Sequence, residues 1–434
     1  MSKRAVTARS LAVHILTRSE TRRRYVDHLI ETTDAVKSLS VKDRALMLEL
    51  INGVLRNRSY LDWIIEQYVH RNYKKQPALL KNLLRVAVYQ MAFLQRIPPY
   101  AVISESVNLA RSLFDPARAS FVNAVLRNYQ RKPYTPPEPK DNLKDLARYY
   151  SHPLWLVERF VAQFGRDELV AWLKANNRVP HTVIRVLDGG IAPDNPPLKP
   201  VPNFEAYFIV PHGTALYELE LWRQGRCIVQ DASAGLTIDL VDARPGETVI
   251  DLCAAPGGKA IALAHRMQQQ GRVVAVDIAE VRLQKIRENC QRTQTTIVEA
   301  VPGDARFVKL EPADAVLVDA PCSGLGVLAR RADLRWQRQP EDFAALTRLQ
   351  TEILAHAGEL VKPGGRLIYS TCTIDVEENE RNVQAFLQKH PEFELENAIE
   401  FVDAAFVTPE GFVRTFPHRH QVDGTFAARM RKRG

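Results

Sequence analysis

The placement of cysteine says most about what this chain could do. Its five cysteines, Cys227, Cys253, Cys290, Cys322 and Cys372, are scattered with no CxxC pair. That spacing suits neither a zinc site nor a disulfide framework, so free thiols in a reducing compartment are expected, and no metal. Cys322 follows the run Val316-Leu-Val-Asp-Ala-Pro, and Cys372 follows Ile368-Tyr-Ser-Thr, each just past an expected strand end. In open α/β sheets ligands bind outside the carboxyl ends of the strands, so both thiols should face one cleft. A lone cysteine is more often a small buried residue than a nucleophile. Two at equivalent strand ends reverse that preference, whereas Cys227 and Cys290 keep the buried reading and Cys253 is expected to line the pocket.

A pair of thiols beside a carboxylate suits one reaction well. Pyrimidine C5 is too weak a nucleophile to take a methyl group, but a thiolate adding at C6 makes it enamine-like and able to attack a sulfonium methyl. The C5 proton then leaves and the thiol is eliminated. Asp319 could stabilise the adduct as an acid near N3 and the exocyclic amine if burial raises its pKa. Lys259 would lower a neighbouring thiol's pKa by its charge, or anchor a backbone carbonyl.

The donor pocket is expected in the turn Val249-Ile-Asp-Leu-Cys-Ala-Ala-Pro-Gly-Gly-Lys259. There Cys253, Ala254, Ala255, Pro256, Gly257 and Gly258 are mostly small, which lets the backbone approach a ligand at a helix N-terminus. G-x-G-x-x-G and P-loop spacings are absent, which disfavours a pyrophosphate. Asp277, nineteen residues after Gly258, can accept from ribose hydroxyls, and Asp304 from an adenine amino group. Each aspartate alone reads as readily as a helix N-cap. Three in succession at strand ends, Asp251, Asp277 and Asp304, suit S-adenosylmethionine.

The elements that must position these residues alternate in type. Apolar runs at Thr248–Leu252, Val273–Asp277, Ile297–Val301, Ala315–Asp319 and Arg366–Tyr369 are separated by helical stretches such as Ala260–Gln269 and Ala279–Gln291. That alternation predicts a mostly parallel sheet with helices on both faces, a Rossmann-like α/β domain over residues 232–434. Residues 1–132 have helical period throughout and predict an all-α bundle, with Ser40 and Asp43 as a capping box and Pro98 and Pro99 stopping one helix before Ala101 begins the next. The proline-dense segment 133–140 reads as a linker, and residues 141–231 as a small mixed module of helices and strands.

Charge separates the same regions. The net charge is +9, but residues 1–132 hold 23 Lys and Arg against 10 Asp and Glu, leaving −4 for the remainder. With clusters at Arg22-Arg23-Arg24 and Lys74-Lys75, the front is expected to bind a nucleic acid. Apolar residues at 46 % and charged residues at 25 % exclude disorder as the main state. The longest apolar candidate, Leu83–Leu94, is broken by Arg85 and Gln90, so no membrane span is expected and the protein reads as cytoplasmic.

At these residues the chain resembles the RNA 5-methylcytosine methyltransferase family. The motifs Asp251-x-Cys-Ala-Ala-Pro-Gly-Gly-Lys259, Asp319-Ala-Pro-Cys322-Ser-Gly and Ser370-Thr-Cys372 match its cofactor loop and two-cysteine signature. Asp43-Arg44 to Leu55-Arg56, Ile97-Pro98-Pro99 to Glu105, and Phe121-Val-Asn-Ala-Val-Leu-Arg127-Asn resemble a NusB-like RNA-binding domain. The fusion is similar to methyltransferases of small-subunit ribosomal RNA. The resemblance implies that Cys372 is the nucleophile and Cys322 assists release. It also implies that Cys253 to Lys259, Asp277, Asp304 and Asp319 meet S-adenosylmethionine or line its pocket, and that a monomer suffices. Asn176-Asn177-Arg178 with Arg185, and Gln230-Asp231, match elements on the RNA side and before the catalytic sheet.

Two positions depart from the pattern: Ala260 where the family usually has threonine, and Thr425 within Asp423-Gly-Thr-Phe426. Other readings are a non-catalytic RNA-binding assembly factor, transfer RNA as substrate, and an exocyclic-amine methyltransferase. The last needs no thiol and carries Asp/Asn-Pro-Pro-Tyr where this chain has Asp319-Ala-Pro-Cys322.

Overall fold

A computed structural model describes residues 7–69, 73–188 and 197–434. The chain forms two compact units, Met1–Arg178 with Leu328–Gln339, and Val179–Val327 with Pro340–Gly434. Among the described residues no helix is long and apolar enough to cross a membrane.

The first unit is helical. Its main helices are Ala8–Arg22, Val41–Arg56, Arg58–Glu66, Ala78–Phe93, Pro99–Leu113 and Pro116–Arg131. They close over a core that includes Ile15, Leu50, Ile51, Leu84, Val122 and Leu126. Ser40 Oγ accepts the Asp43 amide at 3.1 Å and so caps its helix. Pro99 opens a helix rather than stopping one, because its missing N–H falls at a position with no intrahelical acceptor. Arg85, the charge that interrupts the apolar run, is 2 % exposed. It is paired with Asp62 at 2.7 Å and Glu20 at 2.9 Å.

Residues 133–140 carry no regular element. The expected 141–231 module is divided between the units: helices Leu143–Tyr149, Leu154–Phe164 and Leu169–Asn176 belong with the first. The reason is packing that composition does not reveal, since Tyr149 meets Tyr60 edge-on at 5.4 Å and the Tyr60 amide donates to Ser151 Oγ at 3.0 Å. Leu328–Gln339, inside the span expected to be catalytic, also belongs here through Arg335. That fully buried guanidinium donates to Asn177 Oδ1 at 2.6 Å and to the carbonyls of Asn176 and Ser151 at 2.8 and 3.2 Å.

The second unit holds two sheets. In the smaller, β1 (Thr182–Val186), β2 (Lys199–Val201), β3 (Phe204–Val210) and β4 (Cys227–Val229) are antiparallel in the order β2-β3-β1-β4. The larger contains β5 (Thr248–Leu252), β6 (Arg272–Asp277), β7 (Val298–Pro302), β8 (Ala313–Asp319), β9 (Val361–Thr371), β10 (Phe393–Glu396), β11 (Val413–Arg414) and β12 (Phe426–Lys432). Its order is β10-β12-β9-β8-β5-β6-β7, with β11 paired to β12. β5 to β9 run parallel, and β12 lies antiparallel to both β9 and β10.

Alternation of side chains buries both faces of the parallel strands. Val249, Val273, Ala275, Ala315 and Leu317 pack on one side, and Ile250, Val274, Val276, Val316 and Val318 on the other. The order reverses between β5 and β8, so the crevice at their carboxyl ends is the expected ligand position. The two departures are absorbed by the fold. Ala260 is fully buried, and Thr425 Oγ1 lies 3.0 Å from Ser233 Oγ.

Candidate active site

β5 ends in a turn whose backbone is unusual. Cys253 has φ 69°, Ala255-Pro256 is cis, and Gly257 has φ 97°. The left-handed φ favours glycine at 257, and a Cβ there would also stand a tight 3.2 Å from Ile286 Cγ2. The Ala254 amide donates to the Val276 carbonyl at 2.8 Å, folding the turn over the end of β6. From Gly258 the chain enters the helix Gly258–Arg266.

Asp277 is almost wholly buried, and its carboxylate is anchored at both oxygens. Oδ2 accepts the Ala255 amide at 3.3 Å and Oδ1 the Ala279 amide at 3.2 Å. It therefore ties the β5 turn to the helix after β6. Asp304, past β7, pairs with Arg306 at 2.6 Å, whose hydrogen bonds hold its carboxyl below the usual range. Beside these two aspartates lie Ile278 and Phe307, each 68 % exposed.

Asp251 differs from every other carboxylate of the site. It is fully buried, and both of its oxygens lack a hydrogen-bond partner. Burial pushes its pKa up to about 8, with repulsion from Asp319 and Asp277 adding and Lys259 opposing. The carboxylic acid strongly perturbed by burial is therefore Asp251. Asp319 sits with its side chain one-third exposed, ion-paired to Lys259 Nζ at 2.7 Å and accepting from Ser370 Oγ at 3.4 Å. Burial works against the Lys259 ammonium, but the charges of Asp319, Asp251 and Cys372 outweigh it and raise its pKa.

The structure brings the two strand-end thiols together. Cys322 Sγ and Cys372 Sγ are 3.3 Å apart. Cys372 is exposed, while Cys322 keeps 9 % of its surface. The bond to Cys372, together with burial, pushes the Cys322 thiol well above its usual value. Gly326 completes the joint: its amide donates to the Cys372 carbonyl at 3.0 Å. A Cβ there would collide with the Gly424 carbonyl at 1.9 Å.

The other cysteines are set apart. Burial lifts Cys253 to about 12, aided by Asp319, Asp251 and Asp277, so it lines the turn as a neutral thiol. Burial also lifts Cys227 and Cys290, each to about 11. Asn176 is fully buried against His152, and half-buried Asn177 accepts from Arg335, so both hold the fold of the first unit. Arg185 lies over the Tyr207 ring at 5.4 Å, and Tyr207 donates to Gln230 at 2.9 Å.

The sequence reading missed Glu378 and Asn379. Both are fully buried, and both bind the residues that flank the thiols. Their signal is an acidic and amide pair, Glu377-Glu378-Asn379, in a turn six residues past a strand-end cysteine.

A mixed sheet whose parallel strands carry a small-residue turn and an unpartnered buried acid at their carboxyl ends forms the ligand crevice of an S-adenosylmethionine-dependent methyltransferase, as the family match shows. A family model described as 16S rRNA methyltransferase RsmB/F matches residues 238–431, and one described as NusB family matches residues 6–131. The "Probable ribosomal RNA small subunit methyltransferase B" of Bacillus subtilis is 33 % identical over 445 residues, covering 99 % of both chains. The ribosomal RNA small subunit methyltransferase B of Yersinia pseudotuberculosis is 35 % identical over 412 residues, 92 % of both chains. Among solved structures, that of PH0851 is 26 % identical with a TM-score of 0.80, covering 99 % of this chain and 100 % of its own. The chain belongs to the RsmB/F family of 16S rRNA methyltransferases.

Proposed function

We propose that the protein methylates C5 of a cytosine in small-subunit ribosomal RNA through a covalent adduct, with Cys372 as nucleophile and Cys322 as the thiol that assists release. The observation that carries this reading is the 3.3 Å separation of the two sulfurs, one exposed and one nearly covered. An exocyclic-amine methyltransferase has no use for such a pair.

S-adenosylmethionine, when bound, supplies an electrophilic methyl group. The residues present fit it. Asp251 offers two acceptor oxygens that lack partners, suited to an amino group, while Asp277 and Asp304 suit hydroxyl and amino donors of a nucleoside. Asp251, Asp277, Asp304 and the turn from Cys253 to Gly258 would hold it.

The thiols would do the rest. The Cys372 sulfur bonds to C6 and the π pair shifts to C5, which becomes the nucleophile. Asp319, held as an ion pair by Lys259, is an acceptor for the exocyclic amine. Once the Cys372 sulfur is bonded to C6 it is a thioether, a weak acceptor without charge, so the Cys372 contributions that raise the Cys322 thiol are relieved while burial still acts on it. After C5 has taken the methyl group, Cys322, its own proton given up to solvent, takes the C5 proton; the C5–H pair re-forms C5=C6 and the C6–S pair leaves on sulfur, returning Cys372 as its thiolate. Because C6 lies inside a base stack, the cytosine has to be unpaired or flipped out, and the basic front of the chain suits holding the strand.

The test is incubation with methyl-labelled S-adenosylmethionine and small-subunit RNA, followed by nucleoside digestion. Label in 5-methylcytidine is expected. Label on an exocyclic nitrogen, or none at all, would replace this reading with one of its rivals.

A further inference from the structure

The loops that carry the two thiols are joined through backbone from Ala320 to the Ser370 carbonyl at 2.8 Å and from Gly326 to the Cys372 carbonyl at 3.0 Å. Side chains add further ties, and one dipeptide supplies several of them. The Glu378 carboxylate accepts the Ser323 amide and Gln350 Nε2, each at 2.8 Å, and also the Ser323 hydroxyl. Ser323 Oγ lies 2.8 Å from Thr373 Oγ1. Asn379 grips the second loop, with Oδ1 accepting Thr371 Oγ1 at 2.6 Å and Nδ2 donating to the Thr373 carbonyl at 2.9 Å. So Glu378 binds the residue after Cys322, and Asn379 binds the residues on either side of Cys372.

Ser323, Thr371, Thr373, Glu378 and Asn379 are all 0–1 % exposed and spend these bonds on protein partners, so water does not compete for them. A buried carboxylate is costly to desolvate, and apolar residues of similar volume often serve stability as well. What the carboxylate adds is two directed bonds to Ser323 in the Cys322 loop and one to Gln350 on the helix Asp342–Glu359, which is position rather than bulk.

The geometry points to Glu378 as a positioning residue for the two-thiol reaction, with Asn379 as its partner, the pair setting the gap between Cys322 and Cys372 on which release depends. This rests on the covalent reading above. Cys322 has to stand beside Cys372 and then reach the C5 proton of the adduct, and a misplacement of about 1 Å in such a step can cost about 100-fold.

Glu378→Gln keeps the size and removes the charge; Ser323→Ala removes one hydroxyl and is the milder change. Both variants are expected to bind S-adenosylmethionine within about twofold of the parent. Both should form the RNA adduct but release it slowly, so the covalent band on a denaturing gel grows while turnover falls by about 10- to 100-fold. Phenylarsine oxide, which bridges two adjacent thiols, gives a second readout without RNA: the parent should bind one equivalent and the variants should bind it more weakly.

Parental turnover, adduct level and arsenical binding in both variants would overturn the proposal. So would a joint loss of melting temperature, cofactor binding and turnover in both variants, because that marks a fold effect only. Failure of the covalent reading is distinguishable, since Cys372→Ala would then retain turnover whatever Glu378→Gln does. In that case the arsenical still reports whether Glu378 sets the gap.

Discussion

On the β8–β9 side of the crevice, Ser323, Thr371 and Thr373 are bound by Glu378 and Asn379 behind the thiols. On the β5–β6 side, Asp251 is sealed in the same sheet with both oxygens unpartnered. An unpaired buried acid costs stability, and it persists where a ligand completes it. On the proposed mechanism the thiol side needs its nucleophile in place before the base arrives. On the cradle side Asp251 would gain its partners from the cofactor.

Four substitutions break or sharpen that contrast. Cys372→Ala should reduce methyl transfer to background while leaving S-adenosylmethionine affinity within about twofold, read by label transfer and by calorimetry. Equal loss of both would erase the distinction between the two sides. Cys322→Ala should stall turnover at the adduct stage, giving a covalent protein–RNA band that the parent lacks; a clean gel would remove Cys322 from the release step.

Asp251→Asn belongs to the other side and should leave the thiols intact. Cofactor affinity is expected to fall about 10- to 100-fold, the range for a hydrogen bond to a charged group. In the parent, affinity should rise as pH goes from 6 toward 8, because binding a cation draws the proton off an acid with a pKa of about 8. The variant should show a flatter profile. Stability should move the opposite way. Asp251's folded value of about 8 lies above its ordinary 3.8, so the parent loses stability as pH rises through that window. Asp251→Asn should therefore raise the melting temperature most at pH 8 and above, and by little near pH 4. The smallest effect is expected for Asp304→Asn: its partner Arg306 is exposed to solvent screening, and cofactor affinity should drop only a few-fold.

The chemistry was more legible in the sequence than the electrostatics. A cysteine at a strand end is readable because strand and turn are local patterns, and two such patterns imply one edge. Which aspartate becomes the buried acid is not readable. Asp251 and Asp319 lie at the ends of adjacent strands, and the outcome depends on how completely each is buried by the packing around it. Asn176 and Asn177 matched a motif on the RNA side, yet a guanidinium 158 residues further along holds Asn177.

Taken alone, the sequence determined residue chemistry and short-range pattern: helices at the front, alternating strands and helices behind, two strand-end thiols, and a small-residue turn that admits a nucleoside. Those follow from properties carried within a few residues, such as side-chain period, glycine's freedom and sulfur's nucleophilicity. Only tertiary structure decided the 3.3 Å between the sulfurs, the unpartnered oxygens of Asp251 and the grip of Glu378 and Asn379. Each is a distance between atoms far apart in the chain, and burial and field strength are set by such distances.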